Sequence, residues 1–311
     1  MEIKEKISII VPCYNERECL EIFLEAVLAE TAALPVDLEL IFVDDGSTDG
    51  SLEIMRKLSQ EHSQVGFLAL SRNFGKEAAL LAGLQAATGD FVVAMDADLQ
   101  HPPELLPQMY FAIVNEKFDS VAARRIDRKG KAPLRSFFAR RFYKLISKAT
   151  NGEILQGATD FRMMTRQVVD AVLSLTEYNR FTKGIFNWVG FSTKWIEYQN
   201  VPRVGGRTKW GFWKLFLYSV DGIVSFSAKP LAISSFFGII FCFVAFLFAI
   251  FIVVRWLMFG DPVQGWASTI CIILFVGGVQ LFSVGILGQY LAKSYLEAKG
   301  RPVYIVKERS E

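Results

Sequence analysis

Two stretches of the chain, LAISSFFGIIFCFVAFLFAIFIVV at 231–254 and GWASTICIILFVGGVQLFSVGILGQY at 265–290, contain no charged residue. Each exceeds the about 20 residues that a helix needs to cross a bilayer, where every backbone polar group must be satisfied within the segment. They predict two transmembrane helices, and the 52% hydrophobic share of the whole chain agrees with a membrane part. Lys209, Lys214 and Lys229 precede the first stretch, Lys293, Lys299 and Arg301 follow the second, and the short connection holds Arg255 and Asp261. By the positive-inside rule both chain ends are expected on the cytosolic side of the cell inner membrane, in a multi-pass arrangement. The start, MEIKEKISII, lacks the long apolar core and small-residue cleavage site of a secretory signal, so it too is expected in the cytosol. The expected organisation is a cytosolic domain over 1–228, a two-helix membrane domain over 229–292, and a cytosolic tail over 293–311.

The first 125 residues have a different rhythm. Apolar, β-rich runs (ISIIV, LELIFV, VGFLAL, FVVAM, DSVAA) alternate with helix-like segments at 17–32, 48–60, 76–87 and 103–116. Parallel strands need long crossovers and are buried on both faces, so this alternation predicts an α/β fold with a mainly parallel sheet. Ligands of such sheets gather at the carboxyl ends of the strands. Those ends carry PCYNE, DDGSTD, SRNFGKE and DADLQ. Each cluster has a plain structural use: Ser47, Thr48 and Asp49 could cap the following helix, and Asn15 and Asn73 could form turns. Four polar clusters on one sheet edge nevertheless point to a site.

Two further stretches are amphipathic. Around 133–149, Leu134, Phe138, Phe142 and Leu145 share a helical face, beside Arg135, Arg140, Arg141, Lys144 and Lys148. Around 208–228, Trp213, Phe216, Leu217, Val220 and Val224 do the same beside Lys209 and Lys214. Basic charge with aromatic bulk predicts helices lying at the surface of a lipid bilayer.

Inventory excludes several kinds of chemistry. The 34 basic and 32 acidic residues nearly cancel, which argues against a general nucleic-acid partner. The four cysteines form no CxxC pair and the chain has only His62 and His101, so neither a disulfide scaffold nor a histidine-rich metal site is expected. His101 could touch a metal or nucleotide, but beside two prolines it reads rather as an exposed imidazole, and Lys4, Lys6, Arg56 and Lys57 read as solvated surface. No GxGxxG follows the first strand, which disfavours a nicotinamide dehydrogenase.

The segment MDADLQHPPE at 95–104 ends a buried strand on two carboxylates, Asp96 and Asp98, with Gln100 adding a neutral oxygen. Like charges so placed repel unless a cation lies between them. Oxygen-only ligands suit Mg²⁺ or Mn²⁺, which bind few protein groups and bridge to substrate phosphates. The pattern therefore points to a divalent metal carrying a diphosphate.

With VPCYNE, FVDDGSTDGS, LSRNFGKEAALLAGL, MDADLQHPPE, GATDFRMM and the tail LGQYLAKSYLEAKGRPVY, the chain resembles the GT-A, family 2 polyisoprenyl-phosphate glycosyltransferases. That family includes the bactoprenol glucosyltransferases of the GtrB type and is related to dolichyl-phosphate mannose synthase. The resemblance covers nearly the whole chain. It implies a GT-A nucleotide-sugar-binding domain and a metal-dependent, inverting transfer of one sugar from a nucleoside diphosphate sugar to a polyprenyl phosphate. It further implies a nucleoside pocket lined by Pro12, Tyr14, Glu16, Asp44 and Asp45, with Arg72 and Lys76 near the donor's phosphates or sugar. Asp96, Asp98 and Gln100 resemble the metal group, and Asp160 in GATDF the acid at the catalytic centre. Arg125 resembles the arginine that reaches both substrates' phosphates, Arg135 and Arg140 the acceptor-phosphate ligands, and Arg203 with Lys209 the loop that closes on the diphosphate. The expected donor is UDP-glucose and the expected acceptor undecaprenyl phosphate; GDP-mannose or UDP-GlcNAc are the alternatives. By resemblance a homo-oligomer is expected, with Gln280 facing the partner helix or a neighbouring subunit.

Two roles are open to Asp160. A phosphate monoester has a second pKa near 6, so the attacking oxygen is already largely ionised at neutral pH and needs little help from a base. Asp160 is either a base or a positioning group. A processive polysaccharide synthase would carry a QxxRW element, but at Arg255–Trp256 the glutamine position is Ile252. A non-catalytic nucleotide-binding membrane scaffold is the alternative of another class, and it would tolerate replacement of Asp98.

Overall fold

The computed structural model describes residues 4–126, 158–199, 229–259 and 266–310. Within them lies an eight-stranded sheet of order β7-β5-β6-β4-β1-β2-β3-β8. Its strands are β1 (Glu5–Cys13), β2 (Val36–Asp44), β3 (Val65–Leu70), β4 (Phe91–Ala94), β5 (Ser120–Arg125), β6 (Ala158–Thr165), β7 (Thr193–Tyr198) and β8 (Val306–Arg309). The helices of this unit are α1 (Leu20–Thr31), α2 (Ser51–Glu61), α3 (Lys76–Ala86), α4 (Leu105–Glu116), α5 (Arg166–Ser174) and α6 (Thr182–Trp188). The chain divides into two units, Met1–Ser219 with Arg301–Glu311, and Val220–Gly300.

The first five strands run parallel, each followed by a helix or loop that carries the chain back, as the alternation in the sequence predicts. Strands β1 and β4 are buried along nearly their whole length because α-helices cover both faces, so β-branched and aliphatic residues fill consecutive positions. Ile7, Ile9, Phe42, Phe23 and Phe161 are fully buried in one continuous core, each contributing about 1.5–3 kcal/mol of transfer free energy. Helix α3 lies close against β1, and a Cβ at Gly83 would stand 3.0 Å from that of Ile10.

Three strands were not visible in the alternation. Ala158–Thr165 form β6, antiparallel to both β4 and β5, Thr193–Tyr198 form β7, parallel to β5, and the tail forms β8, antiparallel to β3. The tail is tied down further by Arg56, whose Nε and Nη2 donate to Glu308 at 2.8 and 2.6 Å, and by Tyr304, whose hydroxyl donates to Gln85. Arg56 is thus an anchor and not merely solvated surface. Lys6 departs from that expectation too, pairing with Glu39 at 2.8 Å.

The second unit contains α7 (Lys229–Phe259) and α8 (Trp266–Ala298). Among the described residues, Phe275–Ala298 is the stretch long and apolar enough to cross a membrane, and Ser234–Phe248 is a shorter apolar helical stretch. The rings of Phe241 and Phe275 meet edge to face at 5.6 Å between the two helices. Gln280 lines a cleft between them with Ser234, Ser235 and Ser283. The amphipathic stretches expected at 133–149 and 208–228 lie outside the described residues, as do Arg135, Arg140, Arg203 and Lys209.

Candidate active site

The carboxyl edge of the sheet is assembled by loop-to-loop hydrogen bonds. Asn15, left-handed at φ 55°, donates its backbone N–H to Ser47 Oγ at 2.9 Å, and its Oδ1 accepts from Thr48 N–H at 2.8 Å. Glu16 N–H donates to Ser51 Oγ and Arg17 N–H to Asp49, whose carboxylate also caps Ser51. The polar residues of PCYNE and DDGSTD therefore bind their two loops together, and Asn15, Ser47 and Asp49 are largely engaged in that work.

The next step along the edge depends on Asp45. Its two carboxylate oxygens accept from the N–H groups of Phe74 (2.7 Å) and Gly75 (2.9 Å), shaping the turn that starts α3. Burial raises the Asp45 pKa against the pull of those two amides. Gly46 permits the approach: its φ is +70°, and a Cβ there would stand 2.6 Å from the carbonyl carbon of Arg72 and 2.7 Å from the nitrogen of Asn73. A side chain would collide with backbone that cannot yield.

That turn delivers Lys76. Its ammonium lies 2.7 Å from Asp96 Oδ1 and 2.8 Å from Asp160 Oδ2. The sheet explains why these two acids meet. In the antiparallel pairing of β4 with β6, Ala94 faces Arg162, and carrying that register two positions past the end of β4 sets Asp96 opposite Asp160. Lys183, in the first turn of α6, reaches the other oxygen of Asp160 at 3.7 Å. Burial alone would raise the pKa of Asp160, but the charges of Lys76 and Lys183 hold it well below the usual carboxylate range. Asp96 is lowered as well, burial being overcome mainly by Lys76. For Lys76 itself burial works against the charge, and Asp160 and Asp96 outweigh it and raise the pKa.

His101 is buried at 6% exposure, contrary to the exposed imidazole expected from its neighbours. It stacks on Phe161 at 5.3 Å, and its Nδ1 accepts the backbone N–H of Asp96 at 3.3 Å. Burial lowers its pKa, so the neutral ring with its proton on Nε2 orients the backbone of Asp96. The contact that buries the ring is with Phe161 of β6, which is remote in sequence. Beneath Asp160, Arg162 is buried with its Nε unpartnered, its guanidinium 4.2 Å from the Phe186 ring and 5.8 Å from that of Trp195. Burial pushes its pKa down to about 10 despite the nearby charge of Asp160. Arg162 lies within GATDFRMM but was given no role there, and no motif marked Lys183. Alternation along β6 could have placed Arg162 on the same face as Asp160.

The remaining expected residues divide by place. Pro12 and Tyr14 lie at the end of β1, with Tyr14 37% exposed. Asp44 is buried and accepts from Ser47 N–H at 3.1 Å. Arg72 lies over the Phe74 ring at 4.1 Å, and Arg125 ends β5. Asp98 is buried at 7% and its Oδ1 accepts the N–H of Gln100, while Leu99 between them is left-handed at φ 55°. A leucine rarely adopts that conformation, and such strain is characteristic of functional turns.

The donor chemistry here fits a hard divalent cation. The Lys76 ammonium marks a cation position on Asp96, and Asp98 follows on a tight turn, so the oxygen donors are carboxylates. No cluster of three or more His, Cys, Asp or Glu able to hold a metal occurs among the described residues.

Comparison with known proteins agrees with this edge. Residues 8–173 match the family described as glycosyl transferase family 2. The chain is 43% identical over 302 residues to the protein CsbB of Bacillus subtilis (strain 168), covering 97% of this chain and 91% of that protein. It is 40% identical over 308 residues to a bactoprenol glucosyl transferase of Shigella phage SfX, covering 98% and 99%. The solved mannosyl-3-phosphoglycerate synthase of Rubrobacter xylanophilus shares the fold, with a TM-score of 0.51 at 17% identity over 73% of this chain and 74% of that one. An acid-lined carboxyl edge on a mainly parallel sheet, matched across more than half the chain, identifies the protein as a glycosyltransferase belonging to glycosyl transferase family 2.

Proposed function

We propose that the protein transfers glucose from UDP-glucose to a polyprenyl phosphate, such as undecaprenyl phosphate, at the cytosolic face of the inner membrane. The observation that carries this reading is the 40% identity, over 98% of the chain, to a protein named bactoprenol glucosyl transferase. The Lys76–Asp96–Asp160 cluster supplies chemistry of the right kind.

In the proposed inverting reaction, an oxygen of the acceptor phosphate attacks the anomeric carbon, a new C–O bond forms, and the bond to the diphosphate breaks to release UDP. Asp96 and Asp98, with Gln100 beside them, would hold Mg²⁺ or Mn²⁺. When bound, such an ion neutralises charge growing on the leaving diphosphate. Lys76 and Arg72 serve the same diphosphate, and Pro12, Tyr14, Glu16 and Asp44 line the nucleoside pocket. Asp45 acts through the Phe74–Gly75 turn that aims Lys76. Arg125, Arg135 and Arg140 receive the acceptor phosphate, and Arg203 and Lys209 close over the donor. Asp160, kept ionised by two lysines, orients the reacting groups more than it abstracts a proton, since the acceptor oxygen is already ionised.

We further propose that α7 and α8 form a two-span hairpin. Both flanks of the hairpin belong to the unit that holds the sheet, through β7 before it and β8 after it. A chain that leaves and returns to one body crosses a bilayer an even number of times. A homo-oligomer is proposed on resemblance alone; Gln280 and the serines line the cleft between α7 and α8 of one chain, where they suit packing of those two helices.

The test is incubation of purified protein with undecaprenyl phosphate, labelled UDP-glucose, GDP-mannose or UDP-GlcNAc, and Mg²⁺, Mn²⁺ or a chelator. The expected result is label in the organic phase from UDP-glucose that disappears on chelation. Label from another donor alone would reassign the sugar, and no label from any donor would overturn the reading.

A further inference from the structure

The two oxygens of Asp160 face different cations. Oδ2 is bound at 2.8 Å by Lys76, which is also committed to Asp96. Oδ1 is approached by Lys183 at 3.7 Å, within ion-pair reach but beyond a hydrogen bond. The Lys183 side chain is 30% exposed, so its ammonium has protons to offer to an incoming anion.

The segment bearing Lys183 is held firmly. Thr182 donates its N–H (2.9 Å) and its hydroxyl to Glu77, which directly follows Lys76 at the start of α3. Three residues after Lys183, Phe186 lies under the Arg162 guanidinium, two positions along β6 from Asp160. One carboxylate and one stacked arginine therefore set Lys183 against Asp160 from both sides. Preorganisation of this kind is costly to build for a surface charge with no ligand.

We propose that Lys183 binds the phosphate of the acceptor, a lipid phosphate monoester, on the Oδ1 side of Asp160. This rests on the polyprenyl-phosphate reading above. A phosphate monoester carries about −1.5 to −2 charges at neutral pH and must approach an ionised Asp160 while a diphosphate occupies the neighbouring ground. The approach is repulsive unless cations face it, and Lys183 adds to the arginines proposed above the cation that stands directly on the Oδ1 side of Asp160, Lys76 being engaged on the other. Lys183 also lies beyond the segment matched by the family, which ends at 173. A residue outside the shared domain suits the half of the reaction in which family members differ.

The test compares wild type with Lys183→Met and Lys183→Arg, full-length in detergent, with donor and acceptor varied separately. Lys183→Met should raise the KM for undecaprenyl phosphate about tenfold, the worth of one charge-assisted hydrogen bond, and leave the KM for UDP-glucose within about twofold. Lys183→Arg should recover most of the loss, and melting temperatures should coincide. A fall in kcat with unchanged acceptor KM, or a rise confined to the donor KM, would overturn the proposal. Calorimetric binding of farnesyl phosphate to the same proteins separates this result from the functional reading. If wild type transfers no sugar yet binds the lipid phosphate about tenfold more tightly than Lys183→Met, the Lys183 site stands and the transfer reading falls. Equal binding by the two overturns the Lys183 site.

Discussion

The sheet carries a lysine–carboxylate cluster at each end, and the two differ in what completes them. At the amino end, Glu39 accepts from Lys6 Nζ (2.8 Å), Ser8 Oγ, Thr88 N–H (2.9 Å) and Thr88 Oγ1 (2.8 Å). Burial would raise its pKa, and those bonds together lower it. At the carboxyl end, Asp160 is held by the ammonium groups of two long side chains. Fixed hydroxyl and amide donors cannot leave Glu39, so that site is closed, although a groove of about 620 Å³ opens beside it. Lysines can swing to a substrate phosphate or yield to a metal. Space therefore does not mark the functional end; replaceable partners do.

The contrast predicts that mutations at the two ends separate activity from stability. The largest effect is expected from Asp98→Asn: transfer should fall about 10²–10³-fold, the range for losing one preorganised electrostatic group, with little change in melting. Steady-state rates and circular dichroism check it. Lys76→Met should cost about 10²-fold in rate and also destabilise, because Asp96 and Asp160 then face each other without their cation. The pH dependence has a definite sign. The lowered carboxylate pKa values give wild type a stabilisation present above the unfolded value near 3.9 and lost as pH falls through the folded value. The melting gap between wild type and Lys76→Met should thus be full at neutral pH and close on acidification below about 4. Glu39→Ala should do the opposite of Asp98→Asn, lowering stability by about 2 kcal/mol by stranding its donors while activity per folded molecule stays within about twofold. Glu308→Ala, which removes an exposed ion pair with Arg56, should shift melting least of these variants.

Much of the parallel half was legible because its strands are buried on both faces and read as unbroken apolar runs, with polar punctuation where each ends. ISIIV and FVVAM are of this kind, and both fall in strands. β6, β7 and β8 were not legible. β6 reads ATDFRMMT, mixing an acid and an arginine into a strand because its polar side chains serve the site. VKER, in β8, is a charged edge strand whose partner is remote in sequence. In the site, Asp96 and Asp98 were marked by an unfavourable charge pair in the sequence itself. Their meeting with Lys76 was not, since it depends on a turn held by Asp45 and on antiparallel register with Asp160. His101 was misjudged because only packing against Phe161 makes it an interior group.

The central claim is that the carboxyl-edge acids, and not the amino-edge cluster around Glu39, carry out sugar transfer to a lipid phosphate. Its most direct test is the rate of labelled glucose transfer from UDP-glucose to undecaprenyl phosphate by Asp160→Asn and Glu39→Gln, measured side by side at equal folded fraction. The account predicts a fall of at least about 10²-fold for Asp160→Asn and near wild-type rates for Glu39→Gln. Equal rates for the two variants would contradict it.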